Sequence, residues 1–159
     1  MGLSGRIPAT YNNQNGTRYE YACLNVFHQT LSVRHEEHKG GRIWLRFTEY
    51  QRSKNPAQER VHIIQDGLSG HWTPEVRERA RTHKVTLVSS ATDAIWMNPV
   101  ECHAGPLQVG AMAGSDWSSW GEVADAFRRA ALLITREHKA SGREFRSTQH
   151  RVSKHRRPL

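Results

Sequence analysis

The order of strand-like and helix-like segments is the feature that most constrains the fold of this chain. Residues 18–29 are rich in aromatic and β-branched side chains and predict a strand, with which residues 30–34 can pair. The apolar spacing becomes helical from Arg42 onward, and this helix is expected to end before Pro56. The apolar residues at helical spacing in this segment are Ile43, Phe47 and Tyr50.

The second half of the chain repeats the alternation of strand and helix. Short apolar strands are predicted at residues 60–65 and 84–89, and Pro74 is well placed to open a helix between them. Asn98, followed by proline, is typical of a helix cap, and Ser119 begins a capping box before a last helix. That helix carries one apolar face, formed by Trp120, Val123, Ala124, Phe127, Ala131 and Ile134.

A hairpin followed by helix, strand, helix, strand and helix predicts an α/β domain whose mixed sheet is flanked by helices. The chain has 159 residues, enough for one domain. It has no apolar run of the roughly 20 residues that a membrane span needs. Its N-terminus lacks the apolar segment of a signal peptide. Cys23 and Cys102 are too few for a disulfide scaffold or a four-cysteine zinc site. We therefore expect a reduced, cytoplasmic protein with no membrane partner.

Positive charge is concentrated at the end of the chain. Residues 136–159 hold eight Lys or Arg and two Glu, a net charge of +6 within a total of +8. This segment has few apolar residues, so we expect disorder beyond about residue 140. Such a tail attracts phosphate backbones without reading sequence, and it is equally explained as a solvated terminus. The basic residues that would contact DNA there are Arg151, Lys154, Arg156 and Arg157.

Two acids occupy positions suited to a metal site. Asp66 follows the strand at 60–65, where open α/β sheets place ligands, and Glu101 lies in the first turn of the helix capped by Asn98. If strand and helix pack side by side, the two carboxylates can share a hard cation such as Mg²⁺ or Mn²⁺. The residues alone also allow a purely structural interpretation, in which Asp66 serves a turn and Glu101 complements the helix dipole.

The segments VHIIQDGLSGHWTPEVRERA and VTLVSSATDAIWMNPVE together resemble the catalytic core of DDE transposases of the mariner-like superfamily, bacterial insertion-sequence branch. There, a buried strand ends in Asp, a short turn leads to His, a helix follows, and a further strand runs to a Trp-Leu-Asn-x-x-Glu-like motif. The matching positions are Asp66, His71, the helix from Pro74, the strand at 85–88 and Trp96-Met97-Asn98-Pro99-Val100-Glu101, with 34 residues between the acids. The resemblance covers roughly residues 5–138, including GRIPATYNNQNGTRYEYACLNV and the helix near Arg128 and Arg129.

This resemblance implies a ribonuclease H-like fold and DNA cleavage and strand transfer with two Mg²⁺ or Mn²⁺ ions. By position, Asp66 and Glu101 would be the catalytic, metal-binding residues, and Asn98 would cap the helix that presents Glu101. The DNA partners would be the ends of a mobile element and its target. His71 would contact DNA or steady the turn, and Arg128 and Arg129 would contact DNA.

One departure bears on activity. The family's first acid is an Asp on an opening strand, but none of the four Asp residues of this chain precedes Asp66. We therefore expect a partial catalytic domain over residues 1–138, lacking the first strand and an upstream helix-turn-helix domain, followed by a basic tail over 139–159. Gly67, where Asn is common, departs further. The prediction is an inactive transposase remnant. The alternatives are a non-enzymatic basic DNA-binding protein, and an inhibitor that forms mixed dimers with a full-length transposase. The expected protein partner is accordingly a second copy of this chain or a full-length transposase.

Two other groups of residues are given structural interpretations. His28, His35, His38 and the Cys102-His103 pair match no zinc-finger or ribbon spacing, and such neighbours are expected among ten histidines. Trp117 and Trp120 are interpreted as packing residues at the start of the last helix rather than as platforms for bases.

Overall fold

A β-hairpin opens the fold. In the computed structural model, which describes residues 16–90, 98–113, 116–142 and 145, β1 (Tyr19–Asn25) pairs antiparallel with β2 (Thr30–Glu36). Asn25 closes the turn between them, because its side-chain oxygen accepts hydrogen bonds from the backbone N–H groups of Phe27 (3.1 Å) and His28 (2.9 Å). The hairpin predicted from the sequence is therefore present.

A parallel pair of strands follows, with one helix before each strand. Helix α1 (Gly41–Ser53) leads to β3 (Val61–Gln65), and α2 (Pro74–Thr82) leads to β4 (Val85–Ser89). β3 and β4 pair in parallel, with Ile64 opposite Val88. Antiparallel and parallel pairs together make the fold mixed α/β, as the alternation of elements predicts.

Two packed helices form the C-terminal part of the described chain. A 3₁₀ turn (Glu101–His103) continues into α3 (Ala104–Met112), which packs against α4 (Trp120–Ala140). The two helices approach closely, since a Cβ atom built on Gly110 would lie 3.2 Å from the Cβ of Ala130. Ser119 caps α4 as predicted, accepting a hydrogen bond from the N–H of Glu122 (3.3 Å). Within the described ranges, no helix combines the length and apolar character that a membrane span requires.

Two apolar clusters hold these elements together, one on each face of the hairpin. The α1 cluster lies between α1, α2 and the strands, and the α4 cluster lies between the hairpin, α3 and α4. Successive residues of β1 point to opposite faces, so Cys23 packs into the α1 cluster and Leu24 into the α4 cluster. Buried members of the α1 cluster are Trp44, Phe47 and Val76, and those of the α4 cluster are Leu31, Leu107, Ala111, Ala126, Ala130 and Ala131.

The strand pairing corrects the expectation of one mixed sheet. The described strands form two separate two-stranded sheets, β1–β2 and β3–β4. The sequence pattern predicts which segments are extended, but it does not specify which strand edges are hydrogen-bonded. Both sheets nevertheless contribute side chains to the α1 cluster, Tyr21 from β1 and Ile63 from β3.

The buried face of α1 also differs from the predicted one. Tyr50 is exposed, whereas Trp44, Phe47, Thr48, Gln51 and Arg52 are buried. The spacing of apolar residues does not predict the observed buried face, because Thr48, Gln51 and Arg52 on that face are polar. Each of them has a hydrogen-bond partner. Arg52 donates to five backbone carbonyls, those of Asn55, Pro56, Ala57, Glu59 and His83, at 2.9–3.1 Å.

Helix α4 extends past residue 138, where the catalytic domain was predicted to meet the basic tail, and that domain boundary stays a prediction. The helix continues through Ala140 and is followed by Gly142, whose φ of 61° is in the left-handed region that glycine favours. Phe145 is buried, with its ring 3.9 Å from that of His138. The other residues of the predicted tail, 143, 144 and 146–159, lie outside the described residues.

Candidate functional site

The candidate site is built on the carboxyl end of β3, which a buried glutamine fixes in place. The side-chain oxygen of Gln65 accepts a hydrogen bond from the indole N–H of Trp44 on α1 (2.9 Å). Its side-chain nitrogen donates to the backbone carbonyl of His71 (2.9 Å). Gln65 is only 2% exposed. It therefore ties the end of the strand both to α1 and to the turn that follows.

Asp66 is the first residue after β3, and the turn is folded around it. Its Oδ1 accepts a hydrogen bond from the backbone N–H of Leu68 (3.1 Å), which is the arrangement of an Asx turn. Its backbone carbonyl accepts a hydrogen bond from the indole N–H of Trp72 (2.9 Å). The side chain remains 38% exposed. Asp66 is thus both held in position and accessible.

His71 closes this turn beside Asp66. Its Nδ1 lies 2.7 Å from Oδ1 of Asp66, and its ring stacks on that of Trp44 with 4.0 Å between centroids. Burial lowers the pKa of His71, while the neighbouring Asp66 acts in the opposite direction. The structure therefore brings these two predicted site residues together. The position of His71, buried and stacked, corresponds to a residue that steadies the turn.

Glu101 is positioned by a different part of the fold. The side-chain oxygen of Asn98 accepts a hydrogen bond from the N–H of Val100 (3.4 Å), and the carbonyl of Asn98 accepts one from the N–H of Glu101 (3.0 Å). Glu101 then begins the 3₁₀ turn before α3 and is exposed, while Val100 packs against the α4 cluster. The predicted cap is therefore displaced: Asn98 lies in the turn before this segment, Val100 is the N-cap of the 3₁₀ turn and has no side-chain cap, and α3 begins only at Ala104. Trp96 and Met97, matched in the same motif, lie outside the described residues.

Metal binding at Asp66 stays a prediction. Oδ1 of Asp66 makes both of the side-chain contacts given above, so Oδ2 is the atom suited to a cation. Across the ranges that the structure describes, no group of three or more His, Cys, Asp or Glu side chains is arranged to hold a metal ion. The joint action of Asp66 and Glu101 on one cation stays a prediction.

The predicted DNA-contacting residues are only partly within the described chain. Arg128 and Arg129 lie on the exposed side of α4, and Arg128 pairs with Asp125 one turn earlier. The four predicted tail residues, Arg151, Lys154, Arg156 and Arg157, fall outside the described ranges. Trp117 has the packing role expected for it, since it lies against the α4 cluster and donates its indole N–H to the carbonyl of Ala111 (3.2 Å).

Two residues received little weight in the sequence analysis, Trp44 beside the site and Glu20 elsewhere on the hairpin. Trp44 supports the site through Gln65 and His71, and its place on the buried side of α1 is the signal that could have indicated this role. Glu20 lies on β1 with its carboxylate 4.0 Å from Nδ1 of His35, and burial raises its pKa to about 7. A strand glutamate carries no sequence signal of such burial.

Comparison with known proteins gives a structural likeness. No family model matches the chain, and no curated protein matches it. The fold is similar to that of a chain in the cryoEM structure of the simian T-cell lymphotropic virus intasome in complex with PP2A regulatory subunit B56 gamma, with a TM-score of 0.55 and 13% sequence identity. The likeness covers 72% of this chain and 42% of that chain. At this identity it concerns the fold alone.

Proposed function

We propose that this chain is a transposase-derived catalytic domain with a ribonuclease H-like fold, related to the DDE transposases of the mariner-like superfamily. The activity of that class is metal-dependent DNA cleavage and strand transfer. We further propose that the 159-residue chain by itself is catalytically silent, because no Asp precedes Asp66 to serve as the family's first acid.

The observation that carries the proposal is the placement of Asp66 in a fold that is similar to an intasome chain. An Asp directly after a strand, held by hydrogen bonds from Leu68 and Trp72 and still accessible, is suited to presenting a carboxylate to a cation. The Asp66-to-Glu101 motif supports the same assignment independently, since the resemblance rests on sequence and the likeness rests on fold.

In this proposal the chain's own residues hold the carboxylate of Asp66 where a cation could bind it. Asp66 would use Oδ2 for a cation, because Oδ1 is engaged by Leu68 and His71. His71 is a positioning residue, since it touches Asp66 and is itself stacked on Trp44. Two divalent ions, when held by a complete ligand set, would stabilise the attacking and leaving oxygens of a phosphodiester. With an incomplete set, the ions would be poorly placed, and phosphoryl transfer is sensitive to placement.

Metal binding tests the site directly. Titration with Mn²⁺, followed by paramagnetic broadening of backbone NMR signals, should affect residues around Asp66 and around Glu101. Asp66→Asn should weaken binding at least tenfold. Asp125→Asn, which removes a carboxylate that pairs with Arg128 on α4, is the matched control and should change binding less than twofold. Equal broadening in both variants would contradict the proposal.

Plasmid nicking tests the proposed silence. We expect no conversion of supercoiled to open-circular DNA by the purified chain with Mg²⁺ or Mn²⁺. Nicking that disappears in Asp66→Asn would support the family assignment but show that the chain is active, with another residue as third ligand. Nicking that persists in that variant would contradict the site.

A specific observation favours a second candidate function, that of a non-enzymatic DNA-binding protein. The net charge of +8 lies mainly in residues 136–159. A basic segment of this kind binds phosphate backbones whether or not a catalytic site is complete.

A further inference from the structure

Helix α4 carries an exposed stripe along the side that faces away from its packed residues. Its buried positions include Val123 and Ala130, which pack inward, and Thr135, which hydrogen-bonds to the hairpin. Six exposed residues follow one another at alternating spacings of three and four, so they lie on one side of the helix. These residues, here called the α4 stripe, are Glu122, Asp125, Arg129, Leu132, Arg136 and Lys139.

The charges of the α4 stripe are separated by sign along the helix. Glu122 and Asp125 carry negative charge near its start, and the positive charges follow at Arg129, Arg136 and Lys139. Among the residues that the structure describes, these three basic side chains form no ion pair, so their charges are available to a partner. A helix with acids at one end and bases at the other is complementary to a copy of itself that runs in the opposite direction. A parallel copy would place like charges opposite each other.

The middle of the α4 stripe adds an open apolar contact. Leu132 is 62% exposed, and Leu133 beside it is 55% exposed. The opposite side of α4 already packs against the α4 cluster, so these two side chains are not needed for the core. Adjacent large apolar side chains between rims of charge are typical of a surface that contacts another protein.

We propose that the α4 stripe binds the same stripe of a second copy of this chain, with the two helices antiparallel and related by a twofold axis. Spacings of three and four residues are those with which two helices pack along one seam. A twofold axis repeats every contact, because a residue i that meets residue j of the second copy is itself met by that copy's equivalent pair. The partner is a second copy because one stripe supplies both signs of charge in the required order.

One register of the two helices pairs the charges at both ends of the stripe. If the axis is level with the midpoint between residues 130 and 131, Glu122 lies opposite Lys139 of the second copy. In the same register, Asp125 lies opposite Arg136 of the second copy. Asp125 pairs with Arg128 on its own helix but remains 55% exposed, so it can also meet this second cation.

The same register places the apolar contact at the centre of the pair. Leu132 lies opposite Arg129 of the second copy, whose aliphatic stem can cover it while the guanidinium stays in water. The stripe is about 26 Å long. A single helix pair of that length buries less than the roughly 1,600 Å² of a standard interface. We therefore expect a dimer that dissociates on dilution and in high salt.

Sedimentation equilibrium of the full chain tests for this dimer at concentrations up to about 1 mM. DNA and divalent metal are left out, so the outcome is independent of the proposed metal site, and Asp66→Asn should dimerise like the parent chain. We expect a monomer–dimer equilibrium whose dissociation constant rises with salt concentration. A chain that stays monomeric, or a dimer that salt does not weaken, would overturn the proposal.

Charge reversal tests the register. Arg136→Glu and Asp125→Arg each place like charges opposite each other, so each variant alone should dimerise at least tenfold more weakly. An equimolar mixture of the two variants restores opposite charges at both contacts, and it should form heterodimers with an affinity within threefold of the parent chain. Arg42→Glu, which makes the same change of charge at an exposed position of α1, is the matched control and should alter dimerisation less than twofold.

A second pair of variants tests the apolar contact. Leu132→Gln should weaken dimerisation at least fivefold. Val26→Gln changes a similarly exposed residue in the hairpin turn, at 56% against 62%, and should alter it less than twofold. Circular dichroism checks that every variant folds. Equal effects of these two substitutions, or a mixture of folded charge-reversal variants that stays monomeric, would overturn the proposal.

The other partner that a charged helix face can bind is DNA. Binding of a duplex to the parent chain, Arg136→Glu and Arg42→Glu distinguishes the two partners. If the chain were monomeric and Arg136→Glu weakened DNA binding at least tenfold more than Arg42→Glu, the α4 stripe would belong to DNA and the proposal would be overturned.

Discussion

At the residue scale, Glu20 gives the fold a specific pH dependence. Burial raises the pKa of Glu20 from 4.5 to about 7, so the folded state holds its proton more tightly than the unfolded state does. The stabilising contribution is fully present below about pH 4.5 and is lost as the pH rises through about 7. Glu20→Gln should remove this loss, so its melting temperature should exceed that of the parent chain increasingly between about pH 5 and about pH 8.

The control for this measurement is Glu59→Gln, since Glu59 is exposed in the loop after α1. The melting temperature of the Glu59→Gln variant should depend on pH in the same way as that of the parent chain. His35, which lies 4.0 Å from Glu20, titrates with the opposite effect on stability, because burial lowers its pKa. The comparison between variants, rather than the profile of the parent chain alone, therefore isolates Glu20. Parallel curves for Glu20→Gln and the parent chain would contradict the prediction.

The two cysteines should differ sharply in reactivity. Burial raises the pKa of Cys23 to about 11, and the thiolate is the reactive form. Cys102 is exposed in the 3₁₀ turn before α3. With a thiol reagent at about pH 8, we expect one fast equivalent that Cys102→Ser abolishes, and a second equivalent only after unfolding. Two fast equivalents in the folded protein would show that Cys23 is accessible.

At the element scale, Arg52 organises the connection between α1 and β3. Its guanidinium donates to four carbonyls of that loop and to the carbonyl of His83, which follows α2. Arg52→Ala should lower the free energy of unfolding by about 2–3 kcal/mol, because five carbonyls lose a charged donor that is itself buried. Urea unfolding measures this. Arg42→Ala, at an exposed position of the same helix, should change it by less than about 0.5 kcal/mol.

At the scale of the whole molecule, the distribution of charge predicts how the chain binds DNA. Phe145 is buried, so a chain that ends there should keep the fold while losing five Lys or Arg residues from 146–159. The affinity for DNA duplexes of unrelated sequence should fall by about the same factor for each. The slope of the logarithm of the binding constant against the logarithm of the salt concentration should decrease in magnitude by about 0.9 for each phosphate that is no longer neutralised. Anisotropy titrations from about 50 to about 200 mM salt measure this. An unchanged slope would show that this segment is only a solvated terminus.

The local pattern of residues was sufficient to predict most of the elements. Proline at the first turn predicted α2, the capping box predicted α4, and runs of apolar and β-branched residues predicted the four described strands. It also placed Asp66 immediately after a strand. These features depend on neighbours a few residues apart in the chain, so the sequence displays them directly.

Only the tertiary structure decided which residues support that site and how the strands pair. Gln65 is buried because both ends of its side-chain amide have partners. Trp44, which is 21 residues away in the chain, donates to its oxygen, and the carbonyl of His71, across the turn after β3, accepts from its nitrogen. Arg52 is buried because loop carbonyls surround it. The division into two sheets likewise depends on which strand edges meet. Burial of a polar group requires partners that are distant along the chain, and local periodicity does not indicate them.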